Sequence, residues 1–477
     1  MRPVVGFDLD LTLVDSADGI VATFVEVARR LGTRVDPAVV RKLIGAPLED
    51  MWAAVVDGGM VAPAAACYRE IATEFGVPRT TLLPGAVTAV AAVRSHDGRA
   101  VVVSAKAEHL IRATLDHVGL EVDGVVGDRF GPAKGDALRE LGAAVLVGDH
   151  PGDMIGARAA GAAAVGVSTG SHGSADLRLA GAEVVLTDLH GFPDWLDEYV
   201  LAVRLAALER SLRQIGSVVV AFSGGADSAF LLAAAVRALG GERVLAATAV
   251  SPSLPRSELV AAREFAESLG VRHVRPRTDE MDRDSYRAND GDRCYFCKAE
   301  LLDVLAPLAE REGYARVVTG TNSDDAAAGF RPGIRAAAER GAMTPLRDAG
   351  LTKRQVREAS RRWGLSTWDK PAAACLSSRV AYGLEITPAR LARVDRAESG
   401  LRTVLTRAGI PVRNLRVRDL GDTARVEVDV ALVERVAGLP EAISSVHDAG
   451  FGTVEVDPEG FRSGSMNELL PDPARFR

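Results

Sequence analysis

Four cysteines in 477 residues are too few for a disulfide framework, which excludes the stapled folds of small secreted domains and leaves the thiols for other chemistry. No apolar run reaches the length that spans a bilayer. Asp8 and Asp10 stand where an export signal needs its apolar core, so a cytoplasmic protein with no membrane partner is expected. Basic excess is missing too. The net charge of −7 argues against a nucleic-acid partner, which calls for a basic face. No internal repeat divides the chain. What remains is the composition of a folded protein, 47% hydrophobic and 25% charged, enough to bury sizeable cores. The length predicts about three domains on a prior of roughly 150 residues each.

Three blocks follow one another. Residues 1–198 alternate apolar strands (Val4-Val-Gly-Phe, Ala100-Val-Val-Val, Ala144-Val-Leu-Val, Ala163-Ala-Val-Gly-Val) with helical stretches, the pattern of a parallel α/β sheet. Between about 16 and 83 strong strands are lacking, which suits an inserted helical cap. A charged amphipathic helix, Asp194 to Gln214, contains the boundary. Residues 199–384 alternate again, through Arg243-Val-Leu-Ala-Ala-Thr and Arg316-Val-Val-Thr-Gly. Residues 385–477 open on a charged helix and continue with two half-wet strands, Asn414-Leu-Arg-Val-Arg and Ala424-Arg-Val-Glu-Val-Asp, as a small α+β domain.

The most informative stretch is Val218-Val-Val-Ala-Phe222 followed by Ser223-Gly-Gly-Ala-Asp-Ser228. A buried strand runs into a tight glycine turn and then a helix. Open backbone N–H groups, the helix dipole and two hydroxyls make an anion cradle there. No lysine follows the glycines, so this is not the phosphate loop of kinases and GTPases. The pattern resembles the PP-loop of ATP pyrophosphatases, which cleave ATP between the α and β phosphates to adenylate a substrate. The resemblance implies that Ser223, Gly224, Gly225, Asp227 and Ser228 bind ATP.

The first block ends its first strand with Phe7-Asp8-Leu-Asp10, two carboxylates on the same side of an extended chain. Such a pair can bind Mg²⁺ through oxygen, and the first carboxylate can attack phosphorus. Ser104, Lys134 and Gly148-Asp149-His-Pro-Gly-Asp153 follow in order. Together they resemble the haloacid dehalogenase superfamily, in its phosphoglycolate-phosphatase-like branch with a helical cap. The resemblance implies that Asp8 is the nucleophile and Asp10 the general acid/base. It further implies that Ser104 and Lys134 hold the phosphoryl group of a small phosphorylated metabolite. Asp8, Asp10, Asp149 and Asp153 are then the expected Mg²⁺ ligands. Lys134 precedes Asp149 at a shorter spacing than is usual in this branch, which keeps Lys106 as an alternative phosphate-binding lysine.

Cys294 and Cys297 form a Cys-x-x-Cys pair, and Cys375 lies in Pro371-Ala-Ala-Ala-Cys-Leu-Ser-Ser-Arg379. The pair alone fits zinc, redox work or no chemistry at all. Three thiolates without a fourth ligand suit an iron–sulfur cluster with one open iron better than a closed zinc site. Cys67 reads as a helical residue without chemistry. From about residue 205 a set of segments resembles the LarE family of PP-loop sulfurtransferases, which act on pyridinium-3,5-biscarboxylic acid mononucleotide in building the nickel-pincer cofactor. They are Phe222 to Ser228, Ala249-Val-Ser-Pro-Ser-Leu-Pro255, Asp292-Arg-Cys-Tyr-Phe-Cys-Lys298, Gly320-Thr-Asn322, Phe330-Arg-Pro-Gly333, Thr367 to Arg379 and Arg462-Ser-Gly-Ser-Met-Asn467. In that family the cysteine matching Cys375 either gives up its own sulfur or joins two others around a 4Fe-4S cluster. Retention of Cys294, Cys297 and Cys375 favours the cluster form. The resemblance also implies that Arg416 and Arg418, with Glu427 beside them, hold the substrate phosphate. The expectation is thus a homo-oligomeric ATP-dependent sulfurtransferase, acting on a pyridinium mononucleotide and fused to a Mg²⁺-dependent phosphatase. The rivals are a tRNA-thiolating enzyme, an amide-forming ligase of the NAD-synthetase kind and, for the first block, a docking module without turnover.

Overall fold

Runs of β-branched residues make the central strands: VVGF over Val4–Phe7, RAVVV over Arg99–Val103 and VVVA over Val218–Ala221. Branched side chains are stiff and fill both faces of a covered parallel sheet. The structure, a computed structural model, describes residues 2–327, 332–371, 374–462 and 466. Of the motifs above, Phe330, Arg331, Ala372, Ala373, Ser463, Gly464, Ser465 and Asn467 lie outside the described residues. The chain divides into two compact units, Met1–Ala202 and Val203–Arg477, and the division falls inside the helix Phe192–Ile215.

The first unit is built on six strands: β1 (Val4–Phe7), β2 (Arg99–Val103), β3 (Gly124–Val126), β4 (Val145–Gly148), β5 (Ala163–Val167) and β6 (Val184–Leu186). They lie in the order β3-β2-β1-β4-β5-β6, and every neighbouring pair is parallel. Strand alternation splits the core. Ala100 and Val102 join Val5 and Phe7 on one face, while Val101 and Val103 join Leu146 and Ala164 on the other. The order turns about β1, so a ligand cleft opens at the carboxyl ends of β1 and its neighbours.

The expected helical cap is present. The chain leaves the sheet through Val14–Asp15 and returns through Thr81–Leu82, a two-residue antiparallel pair. The helices Ala17–Arg30, Pro37–Leu43, Leu48–Ala53 and Val61–Phe75 lie between them. They share a core around Phe24, which stacks on Trp52 at 4.1 Å and meets Tyr68 edge-on. Cys67 packs at the edge of this core, half-buried.

The second unit repeats the arrangement with four parallel strands: β7 (Val218–Ala221), β8 (Val244–Ala247), β9 (Arg272–Val274) and β10 (Arg316–Thr319), in the order β9-β8-β7-β10. A smaller sheet follows. Its strands β11 (Leu415–Asp419) and β12 (Thr423–Val428) pair antiparallel, and β13 (Thr453–Val456) runs parallel to β12. The helix Pro388–Arg407 packs its buried Leu391, Val394, Ala397, Leu401 and Leu405 into the same core as Leu415 and Val417. Among the described residues no helix is long and apolar enough to cross a membrane.

Asp419 ties that helix to the sheet. Its side chain is fully buried and accepts from Arg390 at 2.8 Å, Arg393 at 2.6 Å and the Gly421 amide at 2.9 Å. Removing one partner of a buried ion pair leaves uncompensated charge behind, at a cost of about 3–5 kcal/mol. Asp419→Ala should therefore lower the unfolding free energy of the second unit, measured by urea titration, by an amount in that range, and Asp419→Asn by less. Unchanged unfolding of the alanine variant would contradict the assignment.

Candidate active sites

In the first unit Asp8 follows β1 directly, and Asp10 and Thr12 belong to the tight turn after it, in which the Leu13 amide donates to Leu9 O at 2.9 Å. Asp8, Asp149 and Asp153 are each nearly fully buried. They can each offer an oxygen within 4.8 Å of the others, the one such ligand group found among the described residues. Burial raises the Asp149 carboxyl well above its ordinary value, and Asp153 and Asp8 push it further. Asp8 is raised by burial as well, with Lys134 opposing. The Lys134 ammonium lies 2.9 Å from Asp8 and also binds Asp153. Burial works against its charge, yet Asp153 and Asp8 hold it above the usual lysine range.

These residues fit a hard divalent cation. Asp149 Oδ2 is buried without a hydrogen-bond partner, while Oδ1 accepts from Thr12 at 2.8 Å. Three oxygens gathered beside a single ammonium are the donor chemistry of Mg²⁺. The Asp10 carboxylate lies outside this group. It accepts from Ser16 at 2.5 Å and from Lys106 at 2.6 Å. Lys106 thus serves Asp10, and Lys134, despite its short spacing, serves Asp8. Ser104 is buried at the end of β2 beside them. A cavity of about 220 Å³ opens over Asp8, Asp10, Ser104 and Lys106, with the cap residues Met51, Tyr68 and Arg69 in its wall.

In the second unit β7 runs into Ser223, Gly224 and Gly225, and the helix Ala226–Leu239 starts there. Gly224 has φ +72°, a left-handed conformation open to glycine. The helix has no side-chain cap, so its first N–H groups stay available to an anion. Ser223 and Ser228 meet through their hydroxyls at 3.1 Å. The cavity over this loop holds about 310 Å³ and is lined by Ser223, Gly225, Asp227 and Ser228. Gly224 turns its carbonyl away to accept from Lys370 at 3.0 Å. Gly320, after β10, closes the far wall. A Cβ there would stand 2.8 Å from the Ser228 amide.

The helix Arg293–Arg311 carries Cys294 and Cys297 on successive turns, Cys294 exposed and Cys297 half-buried. Cys375 stands on the loop before the turn Leu376–Arg379. That loop is pinned from several sides. Arg293 donates to Ser377 O at 2.9 Å, Tyr286 meets the Ser377 hydroxyl at 2.6 Å, and the Leu376 amide donates to Ser253 O at 2.8 Å. Burial raises the Cys297 thiol, and its neighbours Cys375, Glu280 and Cys294 raise it further. The three thiols are therefore within electrostatic reach of one another, but they are not gathered as ligands of a single ion.

Arg416 and Arg418 share one face of β11, with Glu427 opposite Arg416 on β12. Arg418 is buried, donating to Glu427 at 2.6 Å and to Ser378 O at 3.2 Å. Arg416 lines a separate cavity of about 480 Å³ together with Arg379, Glu398 and Arg402. Burial, with Arg379 next, lowers the Arg416 guanidinium to about 10. Glu258, Asp395 and Glu398 line the same cavity, and Glu398 pairs with Arg379 at 3.0 Å.

Sequence reading overlooked several of these neighbours. Lys353 binds Asp227, whose other oxygen accepts from Asn322 at 3.2 Å. A signal existed, because Thr352 and Gln355 form a capping box and a lysine in that first turn opposes the helix dipole. Glu280 and Tyr286 left no local pattern, and the segment Asp292 to Lys298 contains Arg293 without revealing its partner Ser377. Their roles arise from residues distant in sequence.

Residues 5–158 match the haloacid dehalogenase-like hydrolase family, and residues 201–294 match the NAD synthase family. An uncharacterised protein of Synechocystis sp. is 41% identical over 274 residues, 57% of this chain and 99% of that protein. The pyridinium-3,5-bisthiocarboxylic acid mononucleotide synthase of Lactiplantibacillus plantarum is 34% identical over 271 residues, 57% of this chain and 96% of that protein. The probable phosphatase IndB of Dickeya dadantii is 31% identical over 206 residues, 39% of this chain and 90% of that protein. With two such kinships, each to an enzyme and each joined to a built site, the protein is a two-part enzyme. Its first unit belongs to the haloacid dehalogenase-like hydrolases, and its second to the PP-loop family of the Lactiplantibacillus plantarum synthase.

Proposed function

We propose that the second unit adenylates the carboxylates of pyridinium-3,5-biscarboxylic acid mononucleotide and replaces one oxygen of each with sulfur, a step toward a nickel-pincer cofactor. A carboxylate oxygen attacks the α-phosphorus of ATP, the bond to the β-phosphate oxygen breaks, and pyrophosphate leaves. A sulfide-level sulfur then attacks the acyl carbon, AMP departs with its oxygen, and a thiocarboxylate remains. Two rounds convert both carboxylates. Asp227, Ser223 and Ser228 position the nucleotide, and Arg416 and Arg418, with Glu427 orienting the latter, receive the substrate phosphate. When bound at Cys294, Cys297 and Cys375, an iron–sulfur cluster supplies an open iron able to carry the sulfur.

The observation that carries this reading is one helix, Arg293–Arg311. It lines the nucleotide cavity with Lys298 and Leu301 and bears Cys294 and Cys297 on its first turns. An amide-forming ligase needs the cavity but no thiols. The match to the NAD synthase family ends at Cys294 and so covers little beyond the nucleotide half. For the first unit we propose Mg²⁺-dependent hydrolysis of a small phosphate monoester from the same pathway, since tethering raises local concentration. Asp8 attacks phosphorus while Asp10 gives the departing alcohol its proton; Asp10 then takes a proton from the water that releases phosphate from Asp8, and Ser104 and Lys106 or Lys134 hold the phosphoryl oxygens.

Anaerobically purified protein should be brown and carry about four irons per chain, and replacing any of Cys294, Cys297 or Cys375 should remove them. Colourless, reconstitution-resistant protein that loses the sulfur mass of Cys375 during turnover would instead identify a sacrificial cysteine. Asp227→Ala should stop pyrophosphate release. The cysteine variants should still release pyrophosphate while forming no thiocarboxylate, because activation precedes sulfur attack.

Asp8→Asn should abolish hydrolysis of an aryl phosphate and leave sulfur transfer intact, and chelation of Mg²⁺ should silence the hydrolysis at once. Retained hydrolysis in either case would rule out this assignment of the first unit.

A further inference from the structure

The helix Arg293–Arg311 places Cys294, Cys297, Lys298 and Leu301 at i, i+3, i+4 and i+7, one stripe of its surface. Lys298 and Leu301 line the nucleotide cavity. The lysine therefore stands where the cavity meets the thiol-bearing turns. Other lysines near the loop are already engaged by protein acceptors. Lys353 binds Asp227, and Lys370 binds Glu258 at 2.6 Å and the Gly224 carbonyl. No carboxylate among the described residues pairs with Lys298, and it is the one cation among the residues lining the cavity. Lys298 is half-buried at the cavity wall, and an ammonium there without an anion beside it is stabilised when an anionic ligand enters.

We propose that Lys298 binds an oxygen of the nucleotide's α-phosphate and keeps hold of it in the adenylate until sulfur displaces AMP. This role for Lys298 follows from its position and rests on the adenylation reading above. The serine–glycine loop and the uncapped helix Ala226–Leu239 suit the two terminal phosphates, which leave as pyrophosphate. The phosphate that stays must lie between that loop and the thiols. Lys298 occupies this interval, one residue beyond Cys297. The assignment gives the chain a phosphate-binding cation from the far wall of the cavity, in place of the loop lysine that the Ser223–Ser228 sequence lacks.

The test is calorimetric titration of the full chain, with Mg²⁺, against ATP, AMP and inorganic pyrophosphate. Lys298→Met should weaken ATP and AMP by about 10- to 100-fold, the range of a hydrogen bond to a charged group. Pyrophosphate should bind within about twofold of wild type, since its site is the loop. Lys298→Arg should recover most of the loss. Unchanged ATP and AMP binding in Lys298→Met overturns the proposal, and so does an equal loss for pyrophosphate in a variant whose unfolding midpoint is intact. Should Lys298→Met fail to fold, Lys298→Gln carries the same comparison. If the wild-type chain binds neither ATP nor AMP, the adenylation reading itself falls. If it binds both and the variants match it, only the role of Lys298 falls.

Discussion

A carboxylate taken out of water must meet a cation or a set of donors, or the fold loses several kcal/mol. That constraint organises both units. Asp8 and Asp153 share Lys134, Asp227 has Lys353 and Asn322, Glu427 has Arg418, and Asp419 has two arginines. The pairs at the active sites differ from the purely structural one in a single respect. Asp419 is fully matched, whereas Asp149 keeps a buried oxygen without a partner. The unmatched group stands at the end of a parallel strand, where an incoming ion or phosphate can reach it.

Strand order explains why the ends matter. In each unit the first strand lies between the second and the fourth, so the loops after it and its neighbours diverge and leave a cleft. Asp8 follows β1, and Ser223 lies two residues beyond β7. The same topology therefore serves opposite purposes. One cleft concentrates negative charge, in Asp8, Asp149 and Asp153. The other offers backbone donors and hydroxyls to the phosphates themselves.

Much of this was legible because it is local. Two carboxylates after a strand, or a serine–glycine turn between a strand and a helix, are short patterns with a physical meaning of their own. The cap was legible from the absence of strands between Ser16 and Leu83. The division of labour between Lys106 and Lys134 was not legible, because spacing along the chain carries no information about which carboxylate an ammonium reaches. Nor was the setting of Cys375. Tyr286, Arg293 and Ser253 reach it from three separate segments, and only tertiary packing joins them. The paired arginines were placed correctly on one face of a strand, yet burial separates them: Arg418 is committed to Glu427 while Arg416 borders a cavity.

The antiparallel pair Val14–Asp15 and Thr81–Leu82 has a meaning for the history of the fold. Because the chain departs and returns through hydrogen-bonded neighbours, the closure entropy of the excursion depends little on its length. The segment between can lengthen, shorten or be exchanged while the two strands keep their register. Leu11 and Leu110, which belong to the body of the unit, contribute to the cap's core and set the few contacts a replacement must preserve. The strand ends that carry Asp8 and the cap residues that wall the cavity over them are thus free to evolve at different rates.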